Sequence, residues 1–424
     1  MKFLNAPAFV LASLSLSATA QKTDLVFKAL PKLVKERNDH AKGSEKLYQA
    51  AEAQRPSFVQ PFMPVLKAEA GAEAFRREVL PPRQDPFWGV TAELNLFRGG
   101  KDYLARRAAG LEADAAKLAA RQSYLEELTK TRVAYAELVY AESLKRVLLE
   151  AKSLNEKNLH SASRRRASGL ATDTDQIEFE IKRQAIEQDL AATELEIAQQ
   201  RSALSVLLGF DLRAPQSVNW PQSFEDITFD RSRVSVQDIE SVALQFEKIE
   251  TERKQAESLI AARWWVPDVD AYAGYAVKTM RESDEYRRRD RRETYAGVRA
   301  SLVFFDGGEG LRKSRYEARV AEAQALKLAQ SRRENESELE ISLRSIEKNE
   351  KLREGAEKSA RSSKRYLTQT LAEYARGAKN SPDVSSATDK YIEAETRFLA
   401  VQKDYLIALS QLFAVLGPEI AENN

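Results

Sequence analysis

The stretch Gly89-Val90-Thr91-Ala92-Glu93-Leu94-Asn95-Leu96-Phe97-Arg98-Gly99-Gly100 has a counterpart 208 positions later, Gly297-Val298-Arg299-Ala300-Ser301-Leu302-Val303-Phe304-Phe305-Asp306-Gly307-Gly308. Seven of the twelve paired positions are identical. Val90, Ala92, Leu94 and Leu96 alternate with Thr91, Glu93 and Asn95. Val298, Ala300, Leu302 and Phe304 alternate with Arg299, Ser301 and Val303. Period-two alternation is the mark of a strand with one apolar and one more polar face. The same offset carries Gly169 to Gly377, Asp175 to Asp383, Leu208 to Leu416 and Gly209 to Gly417. The chain is therefore duplicated, with a first repeat over 21–220 and a second over 221–424.

Each strand leads into a proline-free stretch. No proline lies between Pro86 and Pro215, or between Pro267 and Pro382. Both gaps are rich in strong helix formers. Helical apolar spacing runs over about 102–168, as at Leu138, Val139, Leu144, Val147 and Leu148, and again over about 309–376. Helices of this length, about 100 Å at 1.5 Å per residue, belong to coiled coils or elongated assemblies. Each ends at a glycine and turns into a returning helix, about 174–208 and 383–416. At the first tip Gly169 suits a left-handed cap, and Asp173 with Gln176 resembles a capping box. At the second, Ser381 reads as N-cap with Pro382 at the first helical position. Two further helices are expected over about 23–53 and 235–262, each able to stack on a returning helix. Further strands are expected over 265–277 and, with poor alternation and two prolines, over 58–66. The run 281–293 holds eleven charged residues in thirteen and reads as a solvated loop.

Composition removes several function classes. Of 424 residues, 43% are apolar and 31% charged, enough for a core. A formal charge of +2 lacks the basic excess of a nucleic-acid binder. With no cysteine, disulfides, thiol catalysis, thiolate metal sites and an N-terminal lipid-modified cysteine are excluded. The two histidines, His40 and His160, have no ligand partner at metal spacing and read as helix-surface residues. No phosphate-loop sequence is present, and the Gly-Gly pairs lack the spacing of a dinucleotide fingerprint. No metal, cofactor or catalytic set is expected, so an enzyme is not. Residues 1–20 read as a signal peptide: Lys2, an apolar run from Ala8 to Leu16, then Ala18-Thr19-Ala20 as a cleavage site. No later segment has the roughly 18 consecutive apolar residues of a membrane helix. The chain is expected to be exported.

The two glycine-glycine segments, Leu96-Phe97-Arg98-Gly99-Gly100 and Phe304-Phe305-Asp306-Gly307-Gly308, resemble the strand-to-helix turn of the outer-membrane efflux protein (TolC-like) family. The tips, Gly169 to Asp175 and Arg376 to Val384, and the closing run from Asp404-Tyr405-Leu406 to Leu416-Gly417 also resemble that family. The resemblance covers nearly all of the chain after residue 20. It implies a mainly α fold with a small β part, assembled as a homotrimer with a twelve-stranded barrel in the outer membrane and an α-helical tunnel in the periplasm. The implied function is the passive exit duct of a tripartite efflux or type I secretion system, coupled through a periplasmic adaptor to an inner-membrane pump. The apolar strand faces would meet lipid, with Glu93, Asn95, Asp268 and Asp270 facing a lumen.

The resemblance also implies site residues. Asp383 matches a position where the family can place an acidic ring at the tunnel aperture. Its bland alternative is an acid favoured by the helix N-terminus. One turn further on, where a second acid can stand, this chain has Ser386. Gly169, Leu170, Ala171, Thr172 and Gly377 would contact the adaptor, although turn chemistry alone accounts for the glycines. Arg98 stands where the family usually has Asp, and the turn is expected to survive because it depends on Gly99 and Gly100. The alternatives are a periplasmic coiled-coil adaptor or scaffold. An adaptor calls for one hairpin between β-rich domains, and a scaffold needs no matched strands.

Overall fold

The computed structural model describes residues 23–57, 59–60, 63–77, 80–168, 172–210, 218–225, 227, 240–281 and 288–417. The expected signal peptide, and Gly169, Leu170 and Ala171, lie outside them.

Duplication is visible in the helix boundaries. The long helices α3 (Lys101–Ala167) and α6 (Glu309–Ala375) are 67 residues each, and the returning helices α4 (Asp173–Leu208) and α7 (Ser381–Leu416) are 36 each. Start and end of each pair lie 208 positions apart. At 1.5 Å per residue the long helices span about 100 Å. Helix α3 packs along α4 and α7, and α6 along α7.

Both returning helices open on a capping box, one residue before the expected positions. Thr172 accepts from the Asp175 amide while Asp175 accepts from the Thr172 amide. Asn380 and Asp383 do the same, with Ser381 and Pro382 inside the first turn. The caps are again 208 apart. Each box satisfies two of the orphan donors that a helix start leaves.

The expected helix over 23–53 is divided. It comprises a two-residue strand β1 (Thr23–Asp24), a 3-10 turn (Phe27–Ala29), α1 (Leu30–Arg37) and α2 (Asp39–Ala53). The break falls at Asn38, which is extended (φ −69°, ψ 118°) and caps α2 through Ala41 N. Its amide nitrogen donates to Glu127 Oε2 and to Leu207 O, both at 2.9 Å, which tie the break to α3 and α4. Strand β1 pairs in parallel with β4 (Val218–Asn219), joining the chain start to the linker between repeats. Helix α5 (Val242–Ala261) lies along both α3 and α6.

The main core gathers where these short elements meet the long helices, around Leu138, Val139, Leu204, Leu409 and Leu412. Within it Arg132 is 1% exposed, its guanidinium 4.8 Å from the Phe27 ring and 5.0 Å from the Phe413 ring. Burial lowers its pKa to about 10, so it is still charged at neutral pH. Helix α7 is apolar enough to cross a membrane by length and composition, but much of that stretch is core facing α3 and α6.

The sheet has the order β2-β3-β5-β6 and is antiparallel throughout. Its strands are β2 (Val65–Arg77), β3 (Leu80–Phe97), β5 (Asp268–Arg281) and β6 (Arg288–Ser301). Three expectations are corrected. Strand β2 begins after Pro64 instead of containing it. Strand β3 begins well before Gly89 and carries prolines in its first half. Strand β6 ends before Leu302 and takes in 288–293, so half of the presumed charged loop is ladder, paired with Ala276 to Arg281.

Candidate functional site: the sheet faces, the turns and the hairpin tips

Register assigns the paired residues of the strand middles to a face, because directly opposed residues share one. One face carries the rows Lys67–Thr91–Gly274–Tyr295, Val65–Glu93–Tyr272–Gly297 and Asn95–Asp270–Arg299. Asp268 opposes Ser301 on the same side. The four acids and amides named from the sequence therefore share one face. Lys67 pairs with Glu93 at 2.5 Å, and Thr91 Oγ1 lies 2.9 Å from the Tyr295 hydroxyl. Tyr272 lies over Gly297 and Tyr295 over Gly274, each ring filling the space a Cβ would take across the strand. The Arg299 guanidinium stacks 4.8 Å from the Tyr272 ring. The opposite face is apolar: Leu66–Ala92–Ala273–Ala296, Ala68–Val90–Tyr275–Thr294, and Leu94–Ala271–Val298. Leu66, Val90 and Val298 on it are exposed in the single chain.

Below the sheet the two glycine turns lead into α3 and α6. Gly99 (φ +61°), Gly100 (φ +74°), Gly307 (φ +70°) and Gly308 (φ +83°) are all left-handed. The glycines take the same conformation beside Arg98 and beside Asp306, but the polar bonding differs between copies. Asp306 accepts from Gly308 N at 2.9 Å and Gly310 N at 2.6 Å. A guanidinium accepts nothing, so Arg98 instead faces Asp102 and Asp270, each at 3.7 Å. Asp102 in turn accepts from Asn95, and Lys101 pairs with Asp268 at 2.7 Å. The segment entering β5 bridges both turns: Val266 packs against Gly99, Trp264 against Gly310, and Arg263 donates to Gly99 O at 3.0 Å.

At the far end the tips of the two hairpins meet. Phe179 and Tyr374 pack edge to face, centroids 5.9 Å apart, with Ala162 and Val384 in the same cluster. Arg165 donates to Tyr374 O at 3.0 Å and stacks on its ring. The Ser381 hydroxyl donates to Asp175, and Lys182 pairs with Asp389. Asp175 is thus shared between its own cap and the neighbouring hairpin. Ser381, first among these donors, with the Thr172 amide, holds the Asp175 carboxyl below its ordinary value of 3.8. Asp383 is half-exposed, accepts from the Asn380 amide at 3.3 Å and lies 4.0 Å from Lys379. Thr172 is an exposed cap and Gly377 (φ +80°) the left-handed residue closing the second hairpin.

Sequence reading missed one polar constellation. His40 Nδ1 lies 3.0 Å from Ser123 Oγ and 3.8 Å from Glu127 Oε1. Hydroxyl and acid meet the same ring nitrogen, so the imidazole cannot relay a proton between them. It is a contact of α2 with α3, and the ring is 67% exposed. Among the described residues no group of His, Asp and Glu is placed to hold a metal.

A duplicated hairpin pair below a four-stranded sheet with one polar and one apolar face defines the fold. The chain matches the outer membrane efflux protein family model over residues 239–418, within the second repeat. Its fold is shared with a membrane protein from Pseudomonas aeruginosa, at TM-score 0.79 and 18% identity, covering 98% of this chain and 96% of that one. The Campylobacter jejuni CmeC outer membrane channel aligns at TM-score 0.79 and 13% identity, over 100% and 95% of the two chains. The Vibrio cholerae outer membrane protein VceC aligns at TM-score 0.76 and 17% identity, over 92% and 96%. No curated protein matches by sequence.

Proposed function

We propose that three copies close a twelve-stranded barrel in the outer membrane, and that the trimer is the passive exit duct of a tripartite efflux or type I secretion system. The observation that carries this is the sheet: four strands, two faces of opposite polarity, and open edges at β2 and β6. Lipid demands that every backbone group be paired, so spanning strands must close. Four strands are too few to enclose a pore, and twelve suffice. The face carrying Lys67, Glu93, Asp270 and Arg299 then lines water. An adaptor is disfavoured by the two hairpins, and a scaffold by the sheet. No residue is assigned a catalytic role, and transport energy comes from an inner-membrane pump reached through a periplasmic adaptor.

The hairpin tips are the periplasmic end in this reading. Asp383 from three subunits would form an acidic ring that favours cations. Gly169, Leu170, Ala171, Thr172 and Gly377 would meet the adaptor. Two contacts, Ser381 with Asp175 and Arg165 with Tyr374, hold the hairpins of one subunit together and so oppose widening of the aperture.

Planar-bilayer conductance of the purified protein tests these roles. Asp383→Ala is expected to reduce cation selectivity, and unchanged selectivity would remove Asp383 from the aperture. Ser381→Ala, which leaves both caps intact, is expected to raise conductance. The pH response has a definite sign. A depressed acid contributes its stability fully above its unfolded value and loses it as pH falls through the folded one. For Asp175 both lie at or below 3.8. Conductance is therefore expected to stay flat from neutral pH to about pH 5, and opening within that window would show that another group holds the tips.

A further inference from the structure

Three aromatic rings on the polar face of the sheet each lie over a glycine of the neighbouring strand. Register opposes Phe87 to Gly71, Tyr272 to Gly297 and Tyr295 to Gly274, and all six positions fall on that face. A Cβ would stand 2.8 Å from the Phe87 ring at Gly71 and 2.8 Å from the Tyr272 hydroxyl at Gly297, and it would overlap the tip of the Tyr295 ring at Gly274. The two tyrosines are reciprocal, one crossing from β5 to β6 and the other from β6 to β5, with centroids 6.2 Å apart. The apolar face is built differently. There Trp88 opposes Ala70 and Val277, and Tyr275 opposes Val90 and Thr294. A glycine inside a strand weakens it, so placing these beds on one face alone calls for a reason.

The position of the rings supplies one. An aromatic side chain on the inward face of a barrel either lies along the wall or stands into the channel, and it can cross the next strand only where no Cβ blocks it. The lying pose is pinned here. The Tyr295 hydroxyl reaches past Gly274 to within 2.9 Å of Thr91 Oγ1 on β3, along the row Thr91–Gly274–Tyr295. The Arg299 guanidinium stacks on the other tyrosine, Tyr272. An added Cβ would meet the outer ends of the rings and not backbone, so the ring would yield and the strand would not. Side chains turn between staggered wells. Beside Tyr295 on the same face of β6, Gly297 already lies under the Tyr272 ring. A displaced Tyr295 is left with the open space above the sheet.

We propose that Gly71, Gly274 and Gly297 set the bore of the barrel: they lay the Phe87, Tyr295 and Tyr272 rings on its wall, and the channel passes wider cargo than it would if those rings stood. Threefold symmetry repeats each position, so filling one bed narrows the channel from three sides. This inference rests on the barrel reading above.

Cysteine accessibility from outside the cell tests it, since the chain has no cysteine of its own. Ser301→Cys lies on the polar face opposite Asp268, beyond the tyrosines toward the glycine turns, and the native serine is exposed. Intact cells carrying the full-length variant are treated with maleimides of increasing polymer length. Gly274→Ala is expected to lower the largest size that reaches the cysteine, while the smallest reagent still reacts. Adding Tyr295→Ala should restore the original limit, and Tyr295→Ala alone should leave it unchanged. Gly297→Ala, with a milder overlap, is read in the same way against Tyr272→Ala. An unchanged limit in both glycine variants, one that stays lowered once the ring is removed, or a higher limit in Tyr295→Ala alone overturns the proposal. So does failure of both glycine variants to assemble, which would make the beds a folding device. If the smallest reagent misses Ser301→Cys in the otherwise native protein, or reacts with Val298→Cys on the apolar face, the barrel reading itself falls.

Discussion

Phe27→Ala is expected to destabilise the protein by about 3–5 kcal/mol, the usual cost of truncating a fully buried phenylalanine. Phe27 is 0% exposed and stands at the junction of three elements. Its ring meets Tyr135 edge to face, centroids 5.9 Å apart, and covers the Arg132 guanidinium at 4.8 Å. Its amide donates to Glu225 Oε1 at 3.0 Å, and the same oxygen accepts from the Tyr135 hydroxyl at 2.6 Å. Burial, then the bond to Glu225, pushes the Tyr135 phenol far up, so it remains a donor at all working pH values. Truncating Phe27 opens a cavity and uncovers one side of a buried cation. Arg132→Met keeps volume and removes the charge, and exchanging a buried charge for a packed apolar chain is often near neutral. The expected order of denaturation midpoints is wild type and Arg132→Met close together, with Phe27→Ala well below. A Phe27→Ala midpoint equal to wild type would mean that the first helices do not lock the core.

Gly99→Ala and Gly307→Ala should differ, although the two glycines hold the same place in the repeat. Both are left-handed, at φ +61° and +70°, and an L side chain there costs about 1–2 kcal/mol. Space separates them. A Cβ on Gly99 would lie 2.3 Å from Val266 Cγ1 and 3.0 Å from Val266 Cβ, whereas one on Gly307 meets nothing within 4 Å among the described residues. Valine has little rotamer freedom with which to yield, and such overpacking adds about 1–3 kcal/mol. Gly99→Ala is expected to lose about 2–5 kcal/mol in all, read as a fall in the midpoint of thermal unfolding. Gly307→Ala should fall much less. Equal losses would show that backbone conformation alone decides both turns.

The helices were legible in the sequence because their evidence is distributed. Dozens of helix-forming residues, proline-free gaps and apolar periodicity place α3, α4, α6 and α7 within a residue or two of their ends. The duplication reinforces each reading, and the 208-residue offset also relates the true caps, Thr172 with Asn380 and Asp175 with Asp383. Elements set by tertiary context were less legible. The break at Asn38 carries no proline or glycine and is stabilised by Glu127 and Leu207, remote in sequence. The charged start of β6 looks like a loop, yet its ladder partners on β5 make it a strand. Strand β2 alternates small residues with charges, and the prolines before it drew the reading to an earlier segment. The tip contacts join residues about 200 positions apart, such as Ser381 and Asp175, and no local pattern announces them.

The central claim is that the open edges β2 and β6 meet between subunits. The chain has no cysteine, so introduced pairs form disulfides without background. Ala68→Cys in β2 can be combined in turn with Thr294→Cys, Ala296→Cys and Val298→Cys in β6. These four positions share the apolar face, and the series samples the register of the joint. Oxidation of the membrane-embedded protein is expected to give covalent trimers from at least one combination and none from the single variants. If every combination stays monomeric on a non-reducing gel, the two edges do not meet and the barrel is not built this way.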